Sequence, residues 1–256
     1  MRILYRGWRP VLVLILLFSL WQLSTWLLEI PKWLLPAPSQ IWAEAITGWS
    51  TYSHHLISTI RLSFMGLLIG SAVGLLVAVS LHRLPKLREA FYPLIILSQN
   101  IPIIVLAPLL VIWFGFGLLP KIIIITLVCF FPITIAAMGG FRQTTAELMH
   151  YMKMAGASNK QIFWKVEWPY ALPSIFSGLK IAATYSVMGA VISEWLGAKE
   201  GIGVYMTLAS SSFRTERVFV AIFLIMILSL TFFAIISSLE KKLVKGKPKG
   251  EGTNGY

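Results

Sequence analysis

Acidic side chains are scarce in this sequence: 10 Asp and Glu stand against 22 Lys and Arg, and charged residues of either sign make up only 12% of it. A soluble domain carries roughly 25%, so an ordinary water-facing globule is excluded and most of the length is expected in lipid. Cysteine is nearly absent. Cys129 stands alone inside an apolar run, which excludes an intrachain disulfide and a cysteine-built metal site. No H-E-x-x-H, no G-x-S-x-G and no clustered pair of carboxylates within the apolar runs occurs. Those absences argue against a membrane-embedded enzyme and against a catalytic or metal site. There is also no G-x-x-x-x-G-K-[ST], so the chain cannot cradle ATP phosphates as that loop does. No internal period suggests a repeat array, and no resident cofactor is implied.

Long apolar runs are what the sequence has instead. A hydrocarbon core of roughly 30 Å takes about 18 or more apolar residues to cross. Six spans satisfy that requirement, at 11–28, 58–81, 92–114, 121–141, 171–193 and 218–239. The expected fold class is therefore an all-α polytopic membrane protein. The first run follows Arg2, Arg6 and Arg9, but it is long for a signal sequence and is followed by Glu29-Ile30-Pro31-Lys32 with no small-x-small cleavage site. It is read as an uncleaved span. Pro93, Pro102 and Pro108 punctuate the third run, which is either a broken helix facing a polar pathway or a simple kink.

The net charge of +12 suggests nucleic acid at first sight, but the basic residues sit at the ends of apolar runs. Arg83, Lys86 and Arg88, then Arg142, Lys153, Lys160 and Lys165, and finally Lys241, Lys242, Lys245, Lys247 and Lys249 fall on the same side as Arg2, Arg6 and Arg9. By the positive-inside rule that side is cytoplasmic, with both termini. The expected partner of these charges is lipid, not nucleic acid. Three regions follow: 1–57, a span and an outer interfacial helix; 58–240, the core, with a polar loop at 142–170; and 241–256, a disordered basic cytoplasmic tail.

In the first region Trp42, Ile46 and Trp49 recur at helical spacing after Ser39, a candidate N-cap, so a helix is expected to lie on the outer leaflet. His54 and His55 beside it read as a solvated loop pair. On span two, Gly66, Gly70 and Gly74 form a G-x-x-x-G-x-x-x-G stripe whose default role is close helix packing.

The most informative stretch is His150 to Ile175. Glu147 to Ala155 forms a short helix with Leu148, Tyr151, Met152 and Ala155 on one side, and Gly156 ends it by taking a left-handed conformation. Ser158 caps a second helix on which Ile162, Phe163 and Val166 face one way and Lys160 and Lys165 face solvent. Pro169 and Pro173 mark the entry to span five. The product is a helix–glycine–helix elbow on a rigid stem.

This segment resembles the cytoplasmic loop of permease subunits in binding-protein-dependent ABC importers, whose motif runs EAA, three residues, GA, then a basic amphipathic helix and a proline-marked turn. Gly156-Ala157-Ser158, Ile162-Phe163, Val166, Pro169 and Ala171-Leu172-Pro173-Ser174-Ile175 match its second half. At the EAA register stand His150, Tyr151 and Met152, with Glu147 one turn upstream, so the charge pairing of the first half departs from the family. Leu35-Pro36-Ala37-Pro38-Ser39, Ser193-Glu194-Trp195-Leu196-Gly197 and Gly201-Ile202-Gly203 are similar to nitrate, taurine and sulfonate-type permeases, and the resemblance runs from the outer helix to the end of span six. It implies that Glu147, His150, Tyr151, Met152, Gly156, Ala157, Ser158, Pro169 and Pro173 couple to a separate cytoplasmic ATPase. It also implies a working unit of two permeases, here a homodimer, and two ATPases, fed by an extracytoplasmic binding protein in a bacterial cytoplasmic membrane. The glycine stripe would then pack within the chain or against the paired permease.

Gln99, Asn100, Thr184, Tyr185, Ser186 and Glu194 are the candidate pathway residues, because polar groups within apolar spans either pair between helices or face water. For Glu194 a gating or binding-protein role stands beside an exposed interfacial carboxylate. Lys180, the deepest ionisable group, keeps open a self-sufficient carrier or channel. The run through Pro108, Trp113-Phe114-Gly115 and Pro120-Lys121, together with Lys180-Ile181-Ala182-Ala183-Thr184-Tyr185, looks most like the thiamine-precursor branch, with sulfonate as runner-up and taurine and nitrate open.

Overall fold

The computed structural model describes residues 4–244, and among these the regular structure is entirely helical. Helix α1 (Leu4–Leu27) leads to the short α2 (Pro38–Thr47) and then to the long α3 (Trp49–Arg83). Helices α4 (Pro85–Ser98) and α5 (Ile103–Phe114) are an apolar pair that meets at a bend of 102°. After them come α6 (Leu118–Phe141), α7 (Ala146–Met154), α8 (Asn159–Ile162), α9 (Trp168–Glu194), α10 (Ile202–Ser211) and α11 (Thr215–Leu243). Five helical segments, or six counting the bent pair, are long and apolar enough to cross a membrane.

The bundle is built around α6 and α9, which run antiparallel and approach closely where glycine removes a side chain. A Cβ on Gly178 would meet the Pro132 carbonyl at 2.8 Å, and one on Gly140 would lie 3.0 Å from the Ala171 backbone. Between them lie Ile125, Cys129, Ile133, Ala183, Val187 and Ala190, all fully buried. The glycine stripe of α3 packs on α6 of the same chain: Gly66 against Ile125, Gly70 against Cys129 and Gly74 against Ile133. Small residues let backbones approach in lipid, where no hydrophobic force drives helices together. The intrachain alternative is the one realised.

The third span breaks at Gln99–Pro102, so the broken helix rather than the kink is found. Pro102 has no N–H to continue the helix, and the Asn100 side chain donates to the Ile96 and Leu97 carbonyls at 3.1 and 3.3 Å, closing the end of α4.

Three local expectations need correction. Span two begins at Trp49, so His54 and His55 are helical and His55 is buried, not a solvated pair. Pro38 occupies the first turn of α2, whose cap is Ala37 and not Ser39; the Gln40 side chain reaches back to the Ala37 N–H at 3.1 Å, while the Ser39 N–H donates to Gln22. Trp42 and Ile46 of α2 and Trp49, at the start of α3, are exposed. Finally, α11 stays helical to Leu243, taking in Lys241 and Lys242 of the expected tail; residues 245–256, with the rest of that expectation, lie outside the described residues.

Candidate functional site: the elbow and the broken-span cleft

The elbow follows its local sequence. Thr145 caps α7 by accepting from the Leu148 N–H at 3.4 Å, and Glu147 in the first turn suits the positive end of the helix. At the other end the Ala157 N–H donates to the Met152 carbonyl and the Gly156 N–H to the Lys153 carbonyl, each at 3.0 Å. With Gly156 at φ +76° this is a Schellman closure, which needs a residue free to take the left-handed region. Ser158 then opens α8 with a reciprocal cap: Ser158 N–H to Gln161 Oε1 at 2.8 Å, and Gln161 N–H to Ser158 Oγ at 3.3 Å.

From Asn159 the helix continues without interruption to Glu194, 36 residues in all. At a rise of about 1.5 Å per residue that is roughly 54 Å, far more than a hydrocarbon core of roughly 30 Å, so a stem projects from the membrane. Pro169 lacks the N–H that would bond the Lys165 carbonyl, and the chain absorbs the loss in a π turn at Phe163–Glu167 that Trp168 N–H closes onto the Phe163 carbonyl. Pro173 lies inside α9, so both prolines sit within a continuous helix rather than before it.

The stem is fastened to the end of α3. His82 Nε2 and Glu167 Oε2 are 3.0 Å apart, and the Arg83 guanidinium lies 4.3 Å over the Phe163 ring. Phe141 stacks on His82 at 4.6 Å and meets Phe163 at 5.7 Å. Ile162, Phe163 and Val166 are buried, while Lys160 and Lys165 are exposed. On α7, Leu148, Met149 and Met152 turn partly inward; Tyr151 and Met154 face out, 65% and 70% exposed, with His150, Ala155 and Gly156 beside them. Tyr151 therefore does not share a face with Leu148 and Met152. What remains outward is an aromatic and thioether ridge on a rigid post.

The six candidate pathway residues divide. Gln99, Asn100 and Tyr185 line one cleft of about 530 Å³ at the broken span, with Pro102, Phe131 and Met188. Thr184 is exposed and donates back to the Lys180 carbonyl at 3.4 Å. Ser186 is fully buried, its hydroxyl 2.8 Å from the Ala183 carbonyl, away from the cleft. Glu194 is only 1% exposed, which overturns the reading of it as an exposed interfacial carboxylate. Its Oε1 accepts from the Thr59 hydroxyl and its Oε2 from the Gly203 N–H, both at 2.7 Å. Thr59 Oγ1 also accepts from the Ile202 N–H at 2.8 Å, and His55 Nδ1 accepts from the Gly201 N–H at 3.0 Å. The network ties the start of α10 to α3 and α9. A Cβ on Gly201 would fall 2.1 Å from the Glu194 carboxyl carbon, so this corner requires glycine.

Helix α10 and the partners His55, Thr59, His82, Arg83, Glu167 and Glu240 were missed by sequence reasoning. Lys180, read above as the deepest ionisable group, meets Glu240 of α11 at 3.0 Å.

The model of the binding-protein-dependent transport system inner membrane component matches residues 66–245, which include the elbow, the cleft and the α9 and α10 side of the Glu194 corner, but not His55 and Thr59. The chain belongs to this family. As a permease subunit of an ABC importer it is 34% identical over 246 residues to the formylaminopyrimidine transport permease protein ThiX of Halalkalibacterium halodurans, covering 96% of this permease and 98% of that one. It is also 29% identical to a putative aliphatic sulfonates transport permease protein SsuC of Bacillus subtilis, over 96% and 90% of the two chains. Among solved structures, an amino acid ABC transporter superposes with a TM-score of 0.64 at 16% identity, over 77% of the permease and 96% of that chain. The likeness in structure confirms the all-α polytopic fold. The named relatives are transport permeases rather than enzymes.

Proposed function

We propose that this permease, paired with a second copy, forms the translocation pathway of an ATP-driven importer and receives force from two copies of a cytoplasmic ATPase through its elbow. The observation that carries the reading is the outward ridge of Tyr151 and Met154 held by the Gly156 closure on a stem locked to α3. An aromatic and a thioether side chain side by side are of the kind enriched at protein interfaces, and a rigid post transmits displacement into α9 rather than bending. The elbow and both termini then lie on the cytoplasmic side, as the basic flanks require, and a substrate-loaded binding protein meets the far end. Rocking of the two copies about a midplane site is the corresponding form of alternating access.

The pathway residues are Gln99, Asn100 and Tyr185, which share a cleft at a non-helical break; irregular backbone at membrane depth is tolerated where it lines a cavity. Glu194 acts as a gate-side strut for α10. The pairing of Lys180 with Glu240 removes the free intramembrane charge on which a carrier reading depended. For substrate we favour a formylaminopyrimidine-type thiamine precursor, supported by 34% identity across 96% of the chain to a permease bearing that name; a sulfonate is the second reading.

A mild-detergent pull-down from native membranes tests the assembly. Recovery of a Walker-motif ATPase at equal copy number is the expected result, and formylaminopyrimidine then competes for uptake where taurine does not. Recovery of the permease alone as an oligomer that transports in liposomes overturns it.

A further inference from the structure

At the end of the bundle opposite the elbow, a second cleft of about 310 Å³ opens between the first turns of α3, the start of α6 and the loop after α9. Its polar lining is His54, Ser58, Arg61, Lys121 and Glu200. The glycine contacts fix the relative height of these groups. Because α3 and α6 run parallel and Gly66, Gly70 and Gly74 face Ile125, Cys129 and Ile133 in equal steps, one further turn toward the far end sets Leu62 level with Lys121. Arg61 and Lys121 therefore stand at the same depth, while His54, Ser58 and Arg61 fall on one face of α3 at helical spacing.

Neither Arg61 nor Lys121 is in an ion pair among the described residues, although four other pairs are formed there. Around them the surface is apolar and exposed, at Ile57, Phe64, Met65 and Leu118. Two unpaired cations held together beside lipid-facing surface repel each other and favour an anion between them. A guanidinium presents a planar fork suited to two oxygens, and an ammonium adds a third donor direction. The Ser58 hydroxyl supplies a neutral donor. Glu200 lines the same cleft without an ion pair to either cation, so the charged side chains lining the cleft sum to one positive; the nearby Glu194 carboxylate, which acts on Lys121 from outside the cleft, is buried and already bound by Thr59 and the Gly203 N–H.

From this arrangement we infer that the cleft is a binding site for a monoanionic tetrahedral oxyanion, of the kind presented by a phosphodiester or a sulfonate. The group has two sources: the headgroup of an anionic phospholipid, or a soluble solute at the far mouth. The site is separate from the Gln99–Tyr185 cleft and does not rest on docking of an ATPase at the elbow.

The test uses the full permease in phosphatidylcholine nanodiscs. One arm titrates methanesulfonate calorimetrically; the other adds spin-labelled phosphatidylglycerol and measures its immobilised fraction. Wild type retains at least one probe, and R61Q/K121Q binds it about ten-fold more weakly or worse, since two charge-assisted contacts are lost. The charge-preserving exchange R61K/K121R, which also reports on folding, binds more tightly than R61Q/K121Q because both cations remain, and more weakly than wild type because the planar fork has moved. Methanesulfonate binding identifies a solute site; phosphatidylglycerol immobilisation alone identifies a headgroup site. If neither probe is retained by wild type, or R61Q/K121Q binds as tightly as wild type, the inference is wrong.

Discussion

Gly156 offers a clean separation of backbone strain from crowding. Its φ is +76°, and no atom lies within 4 Å of where a Cβ would stand. Any penalty for a side chain there comes from the left-handed backbone alone. That conformation costs an L-residue roughly 1–2 kcal/mol, with Asn at the low end because it visits the region readily and a β-branched residue at the high end. A penalty near 1.4 kcal/mol changes an equilibrium about ten-fold. The two 3.0 Å bonds that close α7 onto Met152 and Lys153 would open, and the Tyr151–Met154 ridge would lose its fixed angle to the stem. Gly156→Asn should thus keep uptake per ATP hydrolysed near wild type, and Gly156→Val should lower it about ten-fold. Both variants should insert normally and keep the thermal midpoint of the bundle, since Gly156 touches none of the buried core. The assay is reconstituted uptake alongside ATP hydrolysis, with thermal melts in detergent. Equal behaviour of Asn and Val would refute the strain argument, and normal coupling by Val would remove the elbow from the mechanism.

Three further outcomes follow from named contacts. Gly66→Ala brings a Cβ to 2.2 Å from Ile125 Cγ2 and 2.6 Å from Ile125 Cβ, so the melting midpoint should fall by the equivalent of about 1–3 kcal/mol; adding Ile125→Ala, which keeps the Cβ contact and empties a buried core position, should lower it further. Glu194→Ala strands the Gly203 N–H and should cost about 1–3 kcal/mol in thermal stability. Glu194→Gln should cost less, because its amide can donate to Thr59 while the Thr59 hydroxyl turns to the His55 carbonyl at 3.2 Å. Lys180→Met or Glu240→Met alone should destabilise more than the two together, since each single change leaves a half-buried charge unpaired. Transport surviving in the Lys180→Met/Glu240→Met double variant would confirm that no charge-relay carrier operates, and its selective loss would revive that reading.

How much of this was legible in the sequence depended on the range of the signal. Length and hydropathy were enough for five of the six spans, and three prolines marked the third as special. The elbow was readable because its signals are local: Thr145, Gly156, Ser158 and Gln161 act within four residues of their partners. Helix α10 was not, since ten residues with Gly203 in the first turn and Gly201 just before it carry neither a span's length nor a clear period. The start of span two was hidden by Ser50, Thr51, Ser53, His54 and His55, which look like a loop until α10 and Glu194 supply partners from about 140 residues away. Likewise nothing near Lys180 announces Glu240, and a stripe of glycines does not say which helix will fill it. The orientation of Tyr151 failed for a subtler reason: in a nine-residue helix the apolar residues Leu148, Met149, Tyr151, Met152 and Met154 fit more than one inward face, and Leu148, Met149 and Met152 are the ones partly covered.

The central claim is that the exposed ridge of α7 seats in a separate ATPase. Cys129 is fully buried, so the native chain is close to a cysteine-free background for surface chemistry. Tyr151→Cys and Met154→Cys should each cross-link to the ATPase subunit in native membranes, with a yield that changes on ATP binding, while Trp42→Cys on α2 should not. Cross-linking absent from both elbow positions, in membranes where uptake proceeds, would contradict the account.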